Sequence, residues 1–472
     1  VRRTKIVATI GPASEAPETL AALVEAGVDV ARIGFAHGTP AENLARVALV
    51  REIAADRGRV VAVMADLPGP KVRAGTFATT TTLGSGVDVA LVPGNGPSDA
   101  SRITVEYTTL LEDLRPGDRV SLGDGGVVLT VTAVTGTEAR ARVLHGGSLR
   151  GRPGVHLPAG RVRLSTPTAE DLEHLRSCID AGVDIVAVSF VRRASDLRRV
   201  REAAGDRCPM LVAKIETPQA VANLDEILEE ADGVMVARGD LGTECPIEDV
   251  PHLQKAIIRA CLASGRPVVT ATQMLESMTT TTVPTRAEAA DVANAVLDGT
   301  DALMLSGETA VGVDPPNAVR TMARIAVRAE QEQQPHLWRH AEEARHSTAG
   351  IGGVTWAMTH AAWQAARDAD AAAIICCTWS GGTVRALASL RPAAPILGMS
   401  PNPDTVPRLA LSWGAIPMAV PEYTSSDEMV ANAVRAAREA GHVRSGQTVV
   451  VLAGSPHGAT GARNDLLRLL TV

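Results

Sequence analysis

Two short stretches of this chain carry residue types suited to phosphate chemistry: Ala213-Lys-Ile-Glu-Thr217 and, one helix-length later, Val236-Ala-Arg-Gly-Asp-Leu-Gly242. Each follows an apolar run, Met210 to Ala213 and Val234 to Ala237, and turns abruptly charged. Alternate side chains of a strand share a face, so Lys214 and Glu216 point to the same side. Asp240 is expected to close the next strand. A lysine and two carboxylates at neighbouring strand ends suit Mg²⁺ with a cation beside it, the equipment for handling a phosphoryl group or an enolate. Taken singly, Lys214 reads equally well as a solvated rim residue; three such residues on consecutive strand ends favour chemistry.

These residues need a frame, and the sequence repeats one. Strand-like runs at Lys5–Ile10, Val28–Gly34, Val60–Asp66, Asp184–Phe190, Met210–Glu216, Gly233–Asp240, Pro267–Met274 and Ala302–Ser306 alternate with amphipathic stretches such as Glu18–Ala26 and Leu224–Glu230. Near-continuous Val, Ile, Ala and Leu marks parallel strands buried on both faces. Gly27, Gly182 and Gly265 fall in helix-to-strand turns. The pattern predicts an α/β fold, a (β/α)₈ TIM barrel, with its polar clusters at the C-terminal strand ends where that fold builds active sites.

The rhythm breaks after Gly69-Pro-Lys-Val-Arg73 and resumes near Leu164. Short alternating runs such as Val127–Val134 and Ala139–Leu144, with Gly and Pro between, predict a small inserted β-barrel, a lid hinged over the barrel mouth. Gln331–Gln334, Pro335 and a polar stretch to Ser347 read as a connector. From Gly350 a helix through Ala366, strands at Ala371–Cys377, Ile396–Met399 and Thr448–Ala453, and the turn Thr378-Trp-Ser-Gly-Gly-Thr383 predict an open α/β sheet. The expected domains are thus a barrel of residues 1–68 and 165–335, a lid of residues 69–164, and a C-terminal α/β effector and oligomerisation domain of residues 345–472.

Apolar residues make up 45% of the chain and charged residues 21%, ordinary for a globular protein, and a net charge of −7 without a dense Lys/Arg run argues against a nucleic-acid surface. No apolar run has membrane-spanning length, so no membrane partner is expected. The six cysteines form no C-x-x-C pair and read as buried thiols. The chain enters a strand almost at once, which leaves no room for a signal peptide, and a reducing cytoplasm is the expected setting. All five tryptophans lie beyond residue 337; four read as packing or interface residues, Trp379 being the exception.

From end to end the chain resembles the pyruvate kinase family. The resemblance rests on Arg3-Thr-Lys-Ile-Val-Ala-Thr-Ile-Gly-Pro-Ala-Ser14, on Asp66 with Gly69-Pro-Lys-Val-Arg73, on Lys214-Ile-Glu216, and on Met235-Val-Ala-Arg-Gly-Asp-Leu-Gly242. It continues through Ala271-Thr-Gln-Met-Leu-Glu-Ser-Met278, Pro284-Thr-Arg-Ala-Glu288, Asp291-Val-Ala-Asn-Ala-Val-Leu-Asp298 and Met304-Leu-Ser-Gly-Glu-Thr309. The resemblance implies phosphoryl transfer from phosphoenolpyruvate to ADP, then protonation of the enolate to pyruvate, in glycolysis. It gives Arg32, Arg73 and Lys214 the phosphoryl group, Glu216 and Asp240 the Mg²⁺ (or Mn²⁺), and the Arg238-Gly239 backbone with Thr272 the pyruvate carboxylate. Thr272 also matches the threonine implicated in proton delivery, while His37 and Asp124 fall near nucleotide and lid. Arg32 alone reads equally as the partner of a structural carboxylate. The resemblance further implies a homotetramer, and an effector loop at Thr378, Ser380, Gly381, Gly382 and Thr383. Hydroxyls and backbone N–H groups at a helix start suit a phosphorylated metabolite there, and Trp379, where some members have a lysine, favours a monophosphate.

Departures from the family pattern concentrate on the nucleotide and potassium sites. Gly34-Phe-Ala-His-Gly38 replaces the usual Asn-Phe-Ser-His-Gly, and Pro153-Gly-Val-His156 replaces Lys-Gly-Val-Asn, although Arg150 and Arg152 lie close. A divergent phosphotransferase with altered nucleotide or acceptor use therefore stays open beside pyruvate kinase. So does a non-catalytic ligand sensor, which the intact Lys214, Glu216 and Asp240 disfavour. Gly34, Ala36 and Leu67 remove side-chain oxygens that hold K⁺ in many members; Asp66 remains and Lys71 stands where those members carry Glu. One carboxylate holds K⁺ poorly, and an ammonium at Lys71, expected to pair with Asp66, supplies the charge instead. The resemblance is thus to the Lys-type subgroup, and K⁺ is expected not to be required.

Overall fold

The computed structural model describes residues 2–123, 125–157, 164–332, 352–454 and 465–472. Strands β1 (Lys5–Thr9), β2 (Val30–Gly34) and β3 (Ala62–Asp66) open a barrel that resumes, after an insertion carrying β4 to β11, with β12 (Ile185–Val188), β13 (Met210–Ile215), β14 (Gly233–Ala237), β15 (Val268–Ala271) and β16 (Ala302–Leu305). Its closed order is β1-β16-β15-β14-β13-β12-β3-β2, every pair parallel. All eight runs expected from hydrophobic continuity form these strands. Alternation sends one set of side chains (Val7, Val30, Met64, Val212, Met235, Val269, Met304) into the interior and the other set outward beneath the helices.

Local chemistry starts and stops the outer helices. Thr39 with Glu42, Thr168 with Asp171 and Thr285 with Glu288 form reciprocal capping boxes that satisfy the first free amides. Gly27 (φ 105°) and Gly265 (φ 66°) end their helices in the left-handed region, where a side chain would be strained.

Two strand ends fall three residues short of expectation. The run ending at Asp240 leaves the sheet at Ala237, and Asp240 lies in the first turn of helix Arg238–Glu244. The run ending at Met274 leaves at Ala271, because Thr272 (φ 68°) and Gln273 (φ 54°) take left-handed conformations that no strand accommodates.

The insertion comprises β4 (Phe77–Leu83), β5 (Asp88–Pro93), β6 (Arg102–Val105), β7 (Arg119–Leu122), β8 (Val127–Val134), β9 (Ala139–His145), β10 (Gly147–Gly151) and β11 (Val155–His156). A six-stranded sheet, β11-β7-β8-β9-β5-β6, and the pair β10-β4 make a small, nearly closed barrel around Phe77, Leu91, Ile103, Leu122 and Leu129.

The C-terminal sheet runs β19-β18-β17-β20-β21, from β17 (Ala373–Cys377), β18 (Ile396–Ser400), β19 (Ala415–Ala419), β20 (Thr448–Ala453) and β21 (Leu466–Thr471), with β21 antiparallel. Successive residues of β17 face opposite layers: Ile374 and Cys376 pack toward helix Gly353–Asp368, Ile375 and Cys377 toward helix Ser426–Glu439. None of the six cysteines forms a disulfide; Cys178, Cys261, Cys376 and Cys377 are buried as expected, while Cys208 and Cys245 are only partly so. Most of the expected connector, with Trp338, lies outside the described residues.

The C-terminal sheet also closes the barrel's N-terminal end. Ala410 and Leu411 join the interior core of Met64, Met210 and Val212 from below. Lys5 Nζ donates to Ala415 O at 2.6 Å, and Arg391 pairs with Asp301 at 2.9 Å under the Trp413 ring. No described helix is long and apolar enough to cross a membrane.

Candidate active site

At the opposite, C-terminal end of the barrel, strand termini bring the chemistry together. Lys214 is the penultimate residue of β13, and its Nζ lies 2.7 Å from Ser189 Oγ, 3.0 Å from Glu216 Oε1 and 3.1 Å from Asp66 Oδ1. Arg32, on β2, donates through Nε to Asp66 Oδ2 at 2.7 Å and through Nη1 to Thr9 Oγ1 at 2.8 Å. Glu216 Oε2 accepts from the Phe190 amide at 2.6 Å. Thus β1, β2, β3, β12 and β13 contribute to one connected network, and the shared face expected for Lys214 and Glu216 is present.

The network is largely buried; Arg32 and Lys214 match Asp66 and Glu216 in number, and the nearby Asp240 adds a negative charge without a matching cation among the described residues. Glu216 is 1% exposed and Asp66 4%. Burial raises Glu216 to about 7; Lys214 opposes the shift and the Asp240 carboxylate adds to it. For Asp66, burial is outweighed by Lys214 and Arg32, so its pKa falls. Lys214 rises despite burial, because Asp66, Glu216 and Asp240 hold its proton. An ammonium whose proton is held more tightly than usual therefore stands beside a carboxylate that is harder than usual to ionise.

That imbalance is the test for a divalent cation. Glu216 and Asp240 are close enough to repel, and a divalent ion between them would offset the cost. No group of three or more acidic, His or Cys side chains suited to a metal occurs among the described residues. A Mg²⁺ held here would keep several ligands from water and substrate oxygens, as that ion commonly does with one or two carboxylates. The donor set fits.

Thr272 sits at the turn after β15 and donates to Ala271 O at 2.7 Å while accepting from the Gly239 amide at 2.8 Å. Thr272 and Gln273 share their left-handed backbone with Phe190 (φ 53°), so three non-glycine residues of this kind ring one barrel mouth. The Arg238 side chain ties its helix to Asp291 at 2.6 Å and to Thr272 O at 2.6 Å.

Other expected residues are less closely gathered. Arg73, early in the lid, donates to Arg152 O at 3.4 Å. His37 is exposed, and its pKa is lowered by partial burial and then by Arg73, Lys71 and Arg32, which places it among the site's cations. Asp124 lies outside the described residues. Lys71 is exposed, and among the described residues no carboxylate pairs with it; Asp66 is taken by Arg32 and Lys214 instead. The expected Lys71–Asp66 pair is therefore not formed, because two cations on barrel strands reach the carboxylate first. In the C-terminal loop, Thr378 Oγ1 accepts from the Gly381 amide at 3.0 Å, Trp379 O accepts from Thr405 at 2.7 Å, and Gly382 and Thr383 open helix Gly382–Ala388, with Ser380 just before its cap Gly381.

Sequence reasoning missed Ser189, Thr9 and the Phe190 amide. Ser189 carried a signal, a lone polar residue where an apolar strand ends. Thr9 and the amide carried none, since their roles arise only when β1 closes beside β2 and the chain turns left-handed after β12.

Comparison with known proteins accords with this geometry. The pyruvate kinase barrel-domain model matches residues 1–319, and the pyruvate kinase alpha/beta-domain model matches residues 357–469. A pyruvate kinase of Geobacillus stearothermophilus is 44% identical over 98% of this chain and 79% of its own length. One from Mycobacterium intracellulare is 42% identical over 98% and 97%, and one from Mycobacterium tuberculosis 41% over 98% and 97%. A barrel matched from its first strand to its last, with its charged network at the catalytic end, makes this chain a member of the pyruvate kinase family and a phosphotransferase.

Proposed function

We propose that this chain transfers the phosphoryl group of phosphoenolpyruvate to ADP and protonates the resulting enolate, giving pyruvate and ATP in glycolysis. The observation that carries the reading is the partly buried Lys214 ammonium, held by Ser189, Glu216 and Asp66 at the barrel mouth with Arg32 beside it. The bond from phosphorus to the enol oxygen breaks as one forms to the terminal phosphate of ADP. Negative charge spreads over the phosphoryl oxygens and remains on the enolate, and fixed cations lower the cost of both. Lys214 serves both; Arg32 and Arg73 flank the phosphoryl group. A substrate carboxylate takes over the Gly239 amide that Thr272 now occupies, which leaves the Thr272 hydroxyl placed for the enolate carbon. Glu216 and Asp240 would hold Mg²⁺ or Mn²⁺, whose Lewis acidity polarises phosphoryl and enolate oxygens.

The same reading extends to the rest of the molecule. Residues 1–68 with 165–335, 69–164 and 345–472 are its domains, the chain is a cytoplasmic homotetramer, and a phosphorylated metabolite binds at Thr378–Thr383. K⁺ is dispensable, with Lys71 supplying its charge near His37 and Arg73 rather than through Asp66. A second reading, the same scaffold serving another phosphoryl acceptor, is favoured by the nucleotide side, where Gly34 and Ala36 lack oxygens and His37 is exposed.

A lactate-dehydrogenase-coupled assay with phosphoenolpyruvate, Mg²⁺ and a panel of nucleoside diphosphates tests both. Pyruvate formation with ADP supports the first. Formation only with a different diphosphate supports the second, and no pyruvate with any of them overturns the first.

A further inference from the structure

The lid rests on the Asp240 helix through a hydrogen-bonded relay that phosphoryl transfer, as described, does not use. Helix Arg238–Glu244 carries Asp240 in its first turn and Thr243 three residues on. Thr243 Oγ1 donates to the Asp240 carbonyl at 2.7 Å and lies 3.3 Å from Nδ1 of His156, on lid strand β11. Since the hydroxyl proton goes to Asp240, the imidazole must donate, which assigns the proton to Nδ1. A second lid segment approaches the same threonine: a Cβ added to Gly125 would stand 3.6 Å from Thr243 Cγ2. Strand β7, just before Gly125, pairs with β11, so both segments belong to one face of the lid sheet. Beside this contact is a small cavity of about 70 Å³, lined by residues that include Lys71, Val72, Leu157, Phe190 and Arg192.

We propose that His156 and Thr243 are positioning residues, a latch that passes lid position to the backbone of Asp240. A threonine bonding back one turn is common within helices and by itself signifies little. The lid imidazole on the same oxygen makes it a connection between two bodies. When the lid shifts, the hydroxyl must follow the imidazole or release it, and the Asp240 carbonyl is its other partner. Lid closure over a nucleotide thereby sets how the Asp240 carboxylate meets Glu216. The inference rests on the assignment of Asp240 to the divalent cation.

The test is a double-mutant cycle of Thr243→Val and His156→Ala, with Thr243→Ser and Asp240→Asn alongside. Two readouts are used: Mn²⁺ binding to the substrate-free chain by electron paramagnetic resonance, and kcat and KM across Mg²⁺ concentration. Loss of one such hydrogen bond weakens the coupled equilibrium about two- to ten-fold. Thr243→Val is expected to weaken Mn²⁺ binding and raise the Mg²⁺ requirement within that range while changing KM for phosphoenolpyruvate less. His156→Ala should show the same signature, the double variant should be no worse than Thr243→Val, and Thr243→Ser should restore function. Should Thr243→Val fail to fold, His156→Ala carries the same readouts from the lid side. Unchanged Mn²⁺ binding and kinetics in both single variants, or fully additive losses, overturn the latch. If Asp240→Asn leaves Mn²⁺ binding intact, the cation assignment fails instead; if it abolishes binding while the two latch variants do not alter it, the latch alone fails.

Discussion

The two ends of the barrel bury ion pairs of similar make-up and opposite character. At the floor, Arg391 and Asp301 are 3% and 5% exposed, and Asp301 also accepts from the amides of Val268 and Trp413. Close by, Asp29 would be raised by burial, but Arg2, Lys5 and the Ile6 amide together push it down. Each floor carboxylate has more donors than it needs. At the mouth, Asp66 is held by Lys214 and Arg32, whereas Glu216 has Lys214 and the Phe190 amide, and burial, with Asp240 nearby, raises it to about 7. Burial of charge therefore does not by itself mark a functional site. The mark is a carboxylate left under-neutralised in a place open to a ligand, where the missing positive charge arrives with substrate and cation.

Breaking each end should give contrasting losses. Lys214→Met removes the cation that both mouth carboxylates share and that the transferring group needs. Turnover should fall by about a thousand-fold or more in a chain that still unfolds cooperatively, checked by coupled assay and thermal circular dichroism. Near-normal kcat in folded protein would remove Lys214 from the chemistry. Arg391→Leu should do the reverse: it strands Asp301 in the interior and costs about 3–5 kcal/mol in denaturant unfolding, with kcat per folded molecule little changed. A large kcat loss without destabilisation would mean that the floor is part of the catalytic apparatus.

The floor also has a pH signature. Asp29 titrates lower in the folded chain than in the unfolded chain, so as pH falls the unfolded chain takes the proton first. Its stabilisation is present above an unfolded value of about 3.9 and is lost as pH falls through the folded value. Asp29→Asn should lower stability near neutrality and flatten the acid limb of a denaturant-midpoint profile; an unchanged acid limb would leave Asp29 without this role. The smallest expected effect is at the mouth's edge. Initial rates in tetramethylammonium buffer should not rise when K⁺ is added at constant ionic strength, and Lys71→Glu should create a K⁺ requirement. Strong K⁺ stimulation of the parent chain would sink the reading.

What was legible in the sequence divides along the same axis. The mouth could be read because the chemistry of strand ends is local: Lys214, Glu216 and Arg32 each interrupt an apolar run at its C-terminal end. The eight strands were legible for a related reason, since burial on both faces leaves an unbroken apolar signature. The floor was not. Nothing in Leu409-Ala-Leu-Ser-Trp413 announces that its apolar members fill a barrel formed hundreds of residues earlier. Nor does Arg391 name Asp301 as its partner, because such pairings come from docking and not from periodicity. Strands β19 and β21 were missed because β19 contains Pro417 and β21, at the sheet edge, lacks a continuous buried run. The misplacement of Asp240 followed from reading an apolar run to its charged end, when the chain turns directly from strand to helix at Arg238.

Ribosomes release a chain from its N-terminus, and the last barrel strand ends at Leu305, yet two side chains filling the barrel's interior sit at positions 410 and 411. A nascent chain that has emitted all eight strands is still a cylinder open at one end. Its apolar lining is exposed until the C-terminal sheet begins to arrive. The barrel's own contacts already join distant strands, and this plug adds a further wait that no earlier segment can shorten. The interior of the barrel is thus completed only after Ala410 and Leu411 have been made.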